Sequence, residues 1–275
     1  LLGEKVASNK PLAVLIDVIA ILTTVFGVTT SLGLGTVQIS AGMAHIFGIE
    51  ETFTNKVYII IFITLLGLTS VSLGLNAGIK KLSQVNMIIA TGLLLLVFAL
   101  GPTIFIVNAL VQNFGAYLNT IIQSATWTEV YDPTSWQNGW TLFYFTWWFS
   151  WAPFVSLFIA RISYGRTIKE FIVGVLFVPS LIVFLWMGVF GNAAIYQVIS
   201  NTSDISQVVA NNLPVALFTL YDVYPFAQPL SIISLILIVT FFVTSSDSGA
   251  LVASMLSSKD QTDINDDSPM ISRVT

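Results

Sequence analysis

The residues with the clearest chemical signal lie between Trp140 and Phe154. This stretch of 15 residues holds four tryptophans, four phenylalanines and one tyrosine. The face of an aromatic ring attracts a cation by about 0.5–2 kcal/mol, and a cation without hydrogen-bond donors suits such a site well. Leucine, isoleucine and valine would make a membrane helix without this chemistry. The stretch therefore predicts a membrane protein that handles a quaternary ammonium compound.

The aromatic residues also share one side of a predicted helix, because their spacing follows the helical period. Intervals of four, four, three and four residues separate Phe143, Trp147, Trp151, Phe154 and Phe158, with Tyr144 and Trp148 beside them. Simple bundle packing or a headgroup belt is the alternative, but a belt occupies the ends of a span. Pro153 removes one backbone hydrogen bond, which predicts a broken helix of the kind that transporters use at a substrate site.

A second polar feature lies in the last apolar segment, at Thr240–Gly249. Five hydroxyl side chains and Asp247 occur within these ten residues. The hydroxyls of Thr244 and Ser245, with nearby carbonyls, could bind a small cation, and hydrogen bonding between helices is an equal alternative. Asp247 is a candidate cation ligand, proton carrier or partner of a cytoplasmic arginine, and we favour the last role. Arg161 and Arg166, in the basic loop after the aromatic stretch, are the candidate arginines, although anchoring at the membrane also explains their charge.

The composition places these residues in a membrane. The chain is 55% hydrophobic and 9% charged, with a mean hydropathy of +0.87, and its apolar blocks approach the roughly 20 residues that a spanning helix needs. Six spans are predicted: A (12–40, broken by glycines near Gly33 and Gly35), B (57–76), C (86–111), D (139–160), E (171–192) and F (226–257). A barrel is disfavoured because the blocks do not alternate.

The segments between the spans complete this organisation. Residues 113–125 show apolar spacings of three and four, which predict an amphipathic helix at the membrane interface. Residues 193–225 are predicted to form an extramembrane loop. Nine of the ten lysines and arginines fall on one side of the six spans, so that side is predicted to be cytoplasmic and to hold both ends of the chain. The chain starts without methionine and is predicted to be an internal fragment.

Several functional classes are disfavoured by what the sequence lacks. There is no cysteine, and the one histidine, His45, is predicted to be a loop residue rather than a metal ligand. No phosphate-binding loop or nucleophile–base pair is found, which disfavours an enzyme. The net charge of −4 gives no reason to expect a nucleic-acid partner. An aromatic-lined channel subunit and an enzyme acting on lipid headgroups remain as alternatives of another class.

The motifs resemble those of the betaine/choline/carnitine transporter family. The two main matches are Trp147-Trp-Phe-Ser-Trp-Ala-Pro-Phe154 and Phe158-Ile-Ala-Arg-Ile-Ser-Tyr-Gly-Arg-Thr-Ile-Lys-Glu-Phe171. Further matches are Ile16–Ala20, Thr24–Gly27, Ser31–Gly35 and Phe241–Ser245. The resemblance covers nearly the whole chain.

This resemblance implies an all-α integral membrane fold with twelve helices, ten of which form two inverted repeats. The chain would hold the fifth to tenth helices. Residues 1–112 would end the first repeat, 113–137 form an extracellular interfacial helix and loop, 138–258 begin the second repeat, and 259–275 form a cytoplasmic loop. A plasma-membrane location and a homotrimer of the full-length protein are also implied.

The resemblance further implies a secondary transporter that imports glycine betaine, choline or carnitine by alternating access. Trp148 would close an aromatic box around the trimethylammonium group, and Trp147 and Trp151 would line the central site and the path to the cytoplasm. Tyr144 and Phe145 complete the predicted substrate residues, although the family often has tryptophan in place of Phe145. The remaining box residues would precede Leu1.

The coupling ion implied by the resemblance is Na⁺, with H⁺ coupling or exchange as alternatives. One ion would be bound by Thr244, Ser245 and the carbonyl of Phe241. A second would be bound by Thr24 and Phe154, together with a hydroxyl residue at a position where this chain has Val28. That site is therefore short of one oxygen. No organic cofactor is implied.

Overall fold

The computed structural model describes residues 9–72, 80–131 and 134–257. Within this part every regular element is helical, which agrees with the predicted all-α class. The α-helices are α1 (Lys10–Phe47), α2 (Phe53–Ser72), α3 (Lys80–Leu100), α4 (Thr103–Ala125), α5 (Phe143–Ile162), α6 (Ile168–Ile172), α7 (Val178–Ile199), α8 (Ile205–Asn211), α9 (Ala216–Tyr221) and α10 (Ala227–Ser257). The predicted cytoplasmic loop 259–275 lies outside the described residues.

Seven stretches of helix are long and apolar enough to cross a membrane, which supports an integral membrane protein. Six of them correspond to predicted spans A to F, and α4 is the additional one. Two of the seven contain π-helical turns. The turn Gln137–Leu142 leads directly into α5, and the turn Val173–Phe177 joins α6 to α7.

Segment C is not one span, contrary to the prediction. Helix α3 ends at Leu100, and α4 begins at Thr103 after Gly101 and Pro102. Proline lacks the N–H that would continue the helix, and it disfavours a helical backbone at the residue before it. The predicted interfacial helix 113–125 is therefore the second half of a longer helix that starts at Thr103.

The predicted break in segment A is also wrong, because α1 runs without interruption from Lys10 to Phe47. Glycine is tolerated inside membrane helices where a neighbouring helix approaches closely. Gly35 is such a site, since a Cβ atom added there would lie 1.9 Å from Cε2 of Phe242 on α10. Gly33 faces open space instead, with nothing within 4 Å of an added Cβ.

The two glycines give a matched pair of substitutions. Gly35→Ala is expected to destabilise the full-length protein by about 1–3 kcal/mol, because the new methyl group must displace the ring of Phe242. Gly33→Ala is expected to leave stability unchanged or slightly raised, because alanine is the better helix former. Thermal unfolding in detergent measures both, and equal melting temperatures for the two variants would contradict the packing of Gly35 on Phe242.

Three further boundaries differ from the predictions. Helix α5 continues through Pro153 to Ile162, so the helix is not broken there. Span E extends to Ile199, and the predicted loop 193–225 contains α8 and α9. His45 lies in the last turn of α1 rather than in a loop. In each case the structure contains more helix than was predicted from the sequence.

Helix α10 is at the centre of the packing. It contacts α1, α2 and α3 along its length, and its apolar residues enter two separate cores. One core joins α10 to α1 and α2 around Ile39, Ile63 and Val243. The other joins it to α3, α4, α7 and the 205–224 region. This arrangement holds α1 and α10 side by side, and α5 packs against both.

Candidate functional site

A cavity of about 270 Å³ lies where α1, α5 and α10 meet. Its lining consists of three aromatic residues of α5, one aromatic residue of α10 and two hydroxyl residues, namely Trp147, Trp148, Trp151, Phe242, Ser31 and Ser245. This volume is near the lower end of the range for small-molecule sites, about 300 Å³. The lining combines ring faces with a few polar groups, which suits a small organic cation.

Trp147 is held in the cavity by a hydrogen bond from α5 to α1. Its Nε1–H donates to Oγ of Ser31 at 3.2 Å, and the Ser31 hydroxyl donates to the carbonyl of Gly27 at 3.0 Å. Ser31 is buried. Ser31 was not predicted as a site residue, although Thr24, Gly27, Ser31 and Gly35 form a stripe of small buried residues at helical spacing. The spacing of these small residues in the sequence could have predicted that another helix packs closely against α1.

Trp151 packs on the same stripe of α1, and its indole N–H makes no hydrogen bond to the described residues. A Cβ atom added at Gly27 would lie 2.8 Å from Cδ1 of Trp151, so glycine allows the indole to approach α1. The ring of Trp151 lies 5.0 Å from that of Phe154. Its Nε1–H is buried and has no hydrogen-bond partner among the described residues. A buried unpaired donor is costly, and a bound acceptor would satisfy it.

The other predicted substrate residues lie at or beyond the rim of the cavity. Trp148 lines it but leaves 70% of its surface exposed. Phe145 packs on Phe149 at 5.1 Å and is not among the lining residues. Tyr144 lies between Trp140 and Trp147, with ring centroids 5.9 and 5.7 Å away, and also stays outside the lining. Three of the five predicted residues therefore meet at one cavity.

A row of aromatic rings continues from Trp147 to the loop before α5. Its members are Trp147, Tyr144, Trp140, Trp136 and Trp127, with successive ring centroids 5.4–6.2 Å apart. Glu129 stabilises the loop end of this row. It accepts hydrogen bonds from the hydroxyl of Thr134 and from the backbone N–H groups of Trp136 and Gln137, which hold the pKa of its carboxyl below the ordinary value of 4.5. This continuous row was not predicted from the sequence.

A larger cavity of about 670 Å³ lies between α1, α2 and α10. Its walls are mainly isoleucine, leucine and other apolar side chains, such as Ile39, Ile63 and Val239, and its few polar groups include Thr240. Its described lining includes no tryptophan and no charged group. The smaller, tryptophan-lined cavity is therefore the better candidate for a cationic ligand.

The first predicted cation site forms one turn of α10. The Thr244 hydroxyl donates to the carbonyl of Phe241 at 2.9 Å, and Thr244 is buried. Ser245 follows directly and lines the tryptophan cavity. A carbonyl oxygen and a hydroxyl oxygen are thus held together, next to a second hydroxyl at the cavity wall. Oxygen atoms of this kind are the ligands that small hard cations prefer.

The second predicted cation site has fewer of its predicted ligands close together than the first. The hydroxyl of Thr24 donates to the carbonyl of Ala20 at 2.7 Å, and both Thr24 and Phe154 are buried. Thr24 lines a cavity of about 180 Å³ between α1 and α10, and Phe154 is not among its lining residues. Val28 lines the same cavity, and its Cγ2 lies 2.7 Å from a Cβ atom added at Gly249. Val28 therefore places a methyl group where the family resemblance predicts an oxygen ligand.

Comparison with known proteins identifies the family. A family model described as the betaine/carnitine/choline family transporter matches residues 1–274. The chain belongs to this family. It is 39% identical to the glycine betaine transporter of Acinetobacter baylyi over 275 residues, which are 100% of the chain and 41% of the relative. It is 42% identical over 260 residues to the glycine betaine transporter OpuD of Bacillus subtilis, covering 94% of the chain and 50% of that protein.

A choline transporter is also among the relatives. The chain is 38% identical over 262 residues to the high-affinity choline transport protein of Escherichia coli K12, covering 95% of the chain and 39% of that protein. The chain therefore spans about 40–50% of the length of these curated relatives. Family membership therefore confirms the predicted resemblance, and the family is one of transporters rather than enzymes.

The predicted gating residues of this family member do not form a pair among the described side chains. Asp247 is fully buried and lies opposite α2, with its Oδ1 3.6 Å from a Cβ atom added at Gly67. Neither of its carboxylate oxygens has a hydrogen-bond partner in the described part of the chain. Arg166 is exposed in the turn after α5, and the side chain of Arg161 lies outside the described residues. A gating role for these three residues remains a prediction.

Proposed function

We propose that the full-length protein imports a quaternary ammonium compatible solute, such as glycine betaine, choline or carnitine, by alternating access. The observation that carries this proposal is the cavity shared by Trp147, Trp148 and Trp151 between α1, α5 and α10. Relatives named as glycine betaine and choline transporters support the substrate class.

The tryptophan faces would bind the trimethylammonium head by cation–π attraction. Such attraction is worth about 0.5 kcal/mol at an exposed ring and 2 kcal/mol or more at a desolvated one. A methylated ammonium has no N–H group to leave unpaired in the apolar cavity. A primary amine entering the same place would lose hydrogen bonds to water. The lining therefore favours methylated ammonium compounds over simple amines.

The polar groups of the cavity would bind the other end of the solute. Betaine and carnitine carry a carboxylate and choline carries a hydroxyl, all of which accept hydrogen bonds. The Nε1–H of Trp151, which has no partner in the described part of the chain, supplies a donor, and the Ser245 hydroxyl lines the same cavity. Tyr144 and Phe145 lie outside the lining, so in our proposal they support the tryptophans rather than contact the solute.

We further propose Na⁺ as the coupling ion, bound by the carbonyl of Phe241 and the hydroxyls of Thr244 and Ser245. Ser245 also lines the substrate cavity, so the ion and the solute would share one wall. Binding of each then raises the affinity for the other, as thermodynamic linkage requires. Thr24 and Phe154 remain the candidates for a second ion, in a site that Val28 leaves short of an oxygen. Proton coupling and exchange are the alternative modes.

The proposed location is the plasma membrane, with both chain ends cytoplasmic and the full-length protein a homotrimer. The positive charges support this orientation. If α4 crossed the membrane, Arg166 and Lys169 would lie on the side opposite Lys80 and Lys81, against the positive-inside rule. We therefore propose that α4 lies along the membrane surface on the extracellular side.

Uptake by the full-length protein tests the proposal. Cells that lack other transporters of this class are given labelled glycine betaine, choline or carnitine, with and without a Na⁺ gradient. Saturable accumulation of at least one solute, driven by Na⁺, is the expected result. Accumulation of none of the three would reject the substrate class, and accumulation that ignores Na⁺ would reject the coupling ion alone.

A further inference from the structure

The side chain of Asp247 is buried between α10 and α2 without a charged partner among the described residues. It is fully buried, and neither of its carboxylate oxygens has a hydrogen-bond partner in that part of the chain. The described side chains form two acid–base contacts, His45 with Asp222 and Lys56 with Glu51, and neither involves Asp247. Burying an unpaired carboxylate is costly, and charged groups inside membrane proteins usually have a partner. The carboxylate therefore requires a positive charge from elsewhere.

Two hydroxyl groups lie beside this carboxylate. Ser70 of α2 faces the Asp247 carboxyl. It leaves only 8% of its surface exposed, and its hydroxyl has no hydrogen bond of good geometry to the described residues. On α10, Oγ of Ser246 lies 3.7 Å from a Cβ atom added at Gly67, and Oδ1 of Asp247 lies 3.6 Å from the same position. A carboxylate and two hydroxyls therefore meet at one face of α2.

Gly67 leaves space beside these oxygens. Apart from the helix's own backbone, the described atoms within 4 Å of an added Cβ are the oxygens of Asp247 and Ser246. A methyl-sized position is thus open there, and its neighbours on α10 are both oxygen atoms. Ser246 also lines the cavity of about 180 Å³ between α1 and α10, which gives a small ion a route to this position.

We propose that Asp247, Ser70 and Ser246 bind a monovalent alkali-metal cation between α2 and α10. Small hard cations prefer oxygen ligands of this kind. The single carboxylate supplies one negative charge, which a monovalent ion balances, whereas tight Ca²⁺ sites combine several carboxylates. The bound ion supplies the charge that the predicted arginine partners of Asp247 do not supply among the described side chains.

This site is separate from the coupling site proposed on the same helix. Asp247 and Ser245 are two positions apart, which is about 200° around an α-helix. Ser245 accordingly lines the tryptophan cavity, and Asp247 lies opposite α2. An ion at Asp247 joins α10 to α2 without contacting the solute, so the proposal does not depend on the transport function.

Thermal unfolding of the full-length protein in detergent tests the site without any solute. The protein carries Thr244→Ala and Ser245→Ala, which weaken the proposed coupling site. NaCl or KCl replaces N-methylglucamine chloride at constant ionic strength, and the melting temperature is measured at each concentration. A ligand that binds only the folded protein raises its melting temperature as the concentration rises. At least one of the two ions is expected to produce this rise.

Three substitutions at the site should weaken the response to the ion. Asp247→Asn keeps the shape without the charge and should lose the rise. Ser70→Ala removes one ligand and should raise the ion concentration for a given shift about tenfold. Gly67→Ala should also weaken binding, because its methyl group narrows the space beside the oxygens while contacting them at ordinary distances of 3.6 and 3.7 Å.

Two matched substitutions serve as controls. Gly92→Ala adds a methyl group on α3, where nothing lies within 4 Å of an added Cβ. Ser72→Ala removes a hydroxyl from α2 that donates to the carbonyl of Thr69 at 2.8 Å. Both variants should respond to the ion as their parent does.

Each outcome decides the proposal. A melting temperature that neither ion raises, or the same rise in Asp247→Asn as in its parent, overturns the site. If Asp247→Asn lowers the melting temperature equally at every ion concentration, the carboxylate pairs with a side chain of the protein and the ion site is rejected. A persisting ion response in a protein that shows no uptake rejects the transport function and supports the site.

Discussion

Replacing Trp148 by leucine in the full-length protein is expected to raise the glycine betaine concentration for half-maximal uptake about two- to fivefold, the loss of roughly 0.5–1 kcal/mol of cation–π attraction at a partly exposed ring. Trp148 lines the cavity at its rim, where leucine offers bulk but no aromatic face. Trp147→Leu should have a larger effect. It removes a second ring face and also the hydrogen bond to Ser31 that fixes α5 against α1.

Trp186→Leu is the matched control for both substitutions. Trp186 lies on α7, stacks on Phe190 at 4.6 Å and packs against the core that does not contain the cavity. The substitution removes the same atoms from the same kind of membrane helix. Concentration curves for uptake, corrected for the amount of protein in the membrane, measure all three variants. Half-saturation that stays unchanged in Trp148→Leu and Trp147→Leu would show that these tryptophans do not bind the ammonium head.

The fold class could be predicted from the sequence because hydropathy and helix length are properties of single segments. The break between α3 and α4 was missed because the run from 86 to 111 is mainly apolar, although Gly101-Pro102 marks the break. At Gly33 and Gly35 the error was the opposite one, because a break was predicted where the helix is continuous. A glycine that breaks a helix and one that admits a neighbouring ring look the same in sequence, and the ring of Phe242 lies 207 positions away from Gly35.

The part of the candidate site that lies on a single helix could be predicted from the sequence. Trp147, Trp148 and Trp151 share α5, so helical spacing was enough to group them. Ser31 could not be assigned in this way, because its contact with Trp147 joins residues 116 positions apart. The partner of Trp147 depends on how α1 packs on α5. The spacing of residues within a single helix does not determine that packing. The resemblance to a known family supplied ion ligands that spacing alone left undecided.

Removing the Thr244 hydroxyl is expected to impair Na⁺ binding more than solute binding. In Thr244→Ala the Na⁺ concentration for half-maximal uptake should rise at least about tenfold, because a buried hydroxyl ligand worth roughly 1.4 kcal/mol or more is lost. Ser245→Ala should show a similar rise together with weaker solute binding, since Ser245 also lines the tryptophan cavity. Linkage then predicts that high Na⁺ restores much of the solute affinity in Thr244→Ala.

Thr240→Ala supplies the control on the same helix. Thr240 lies one turn before Thr244, and its hydroxyl bonds the carbonyl of Ile236 at 3.0 Å in the same local manner, but it faces the larger apolar cavity. Its loss should leave Na⁺ activation unchanged. Uptake of labelled betaine against Na⁺ at fixed pH measures the three variants. If Thr244→Ala keeps normal Na⁺ activation, the ion does not bind at this turn of α10. If uptake then follows a pH gradient instead, the coupling ion is H⁺.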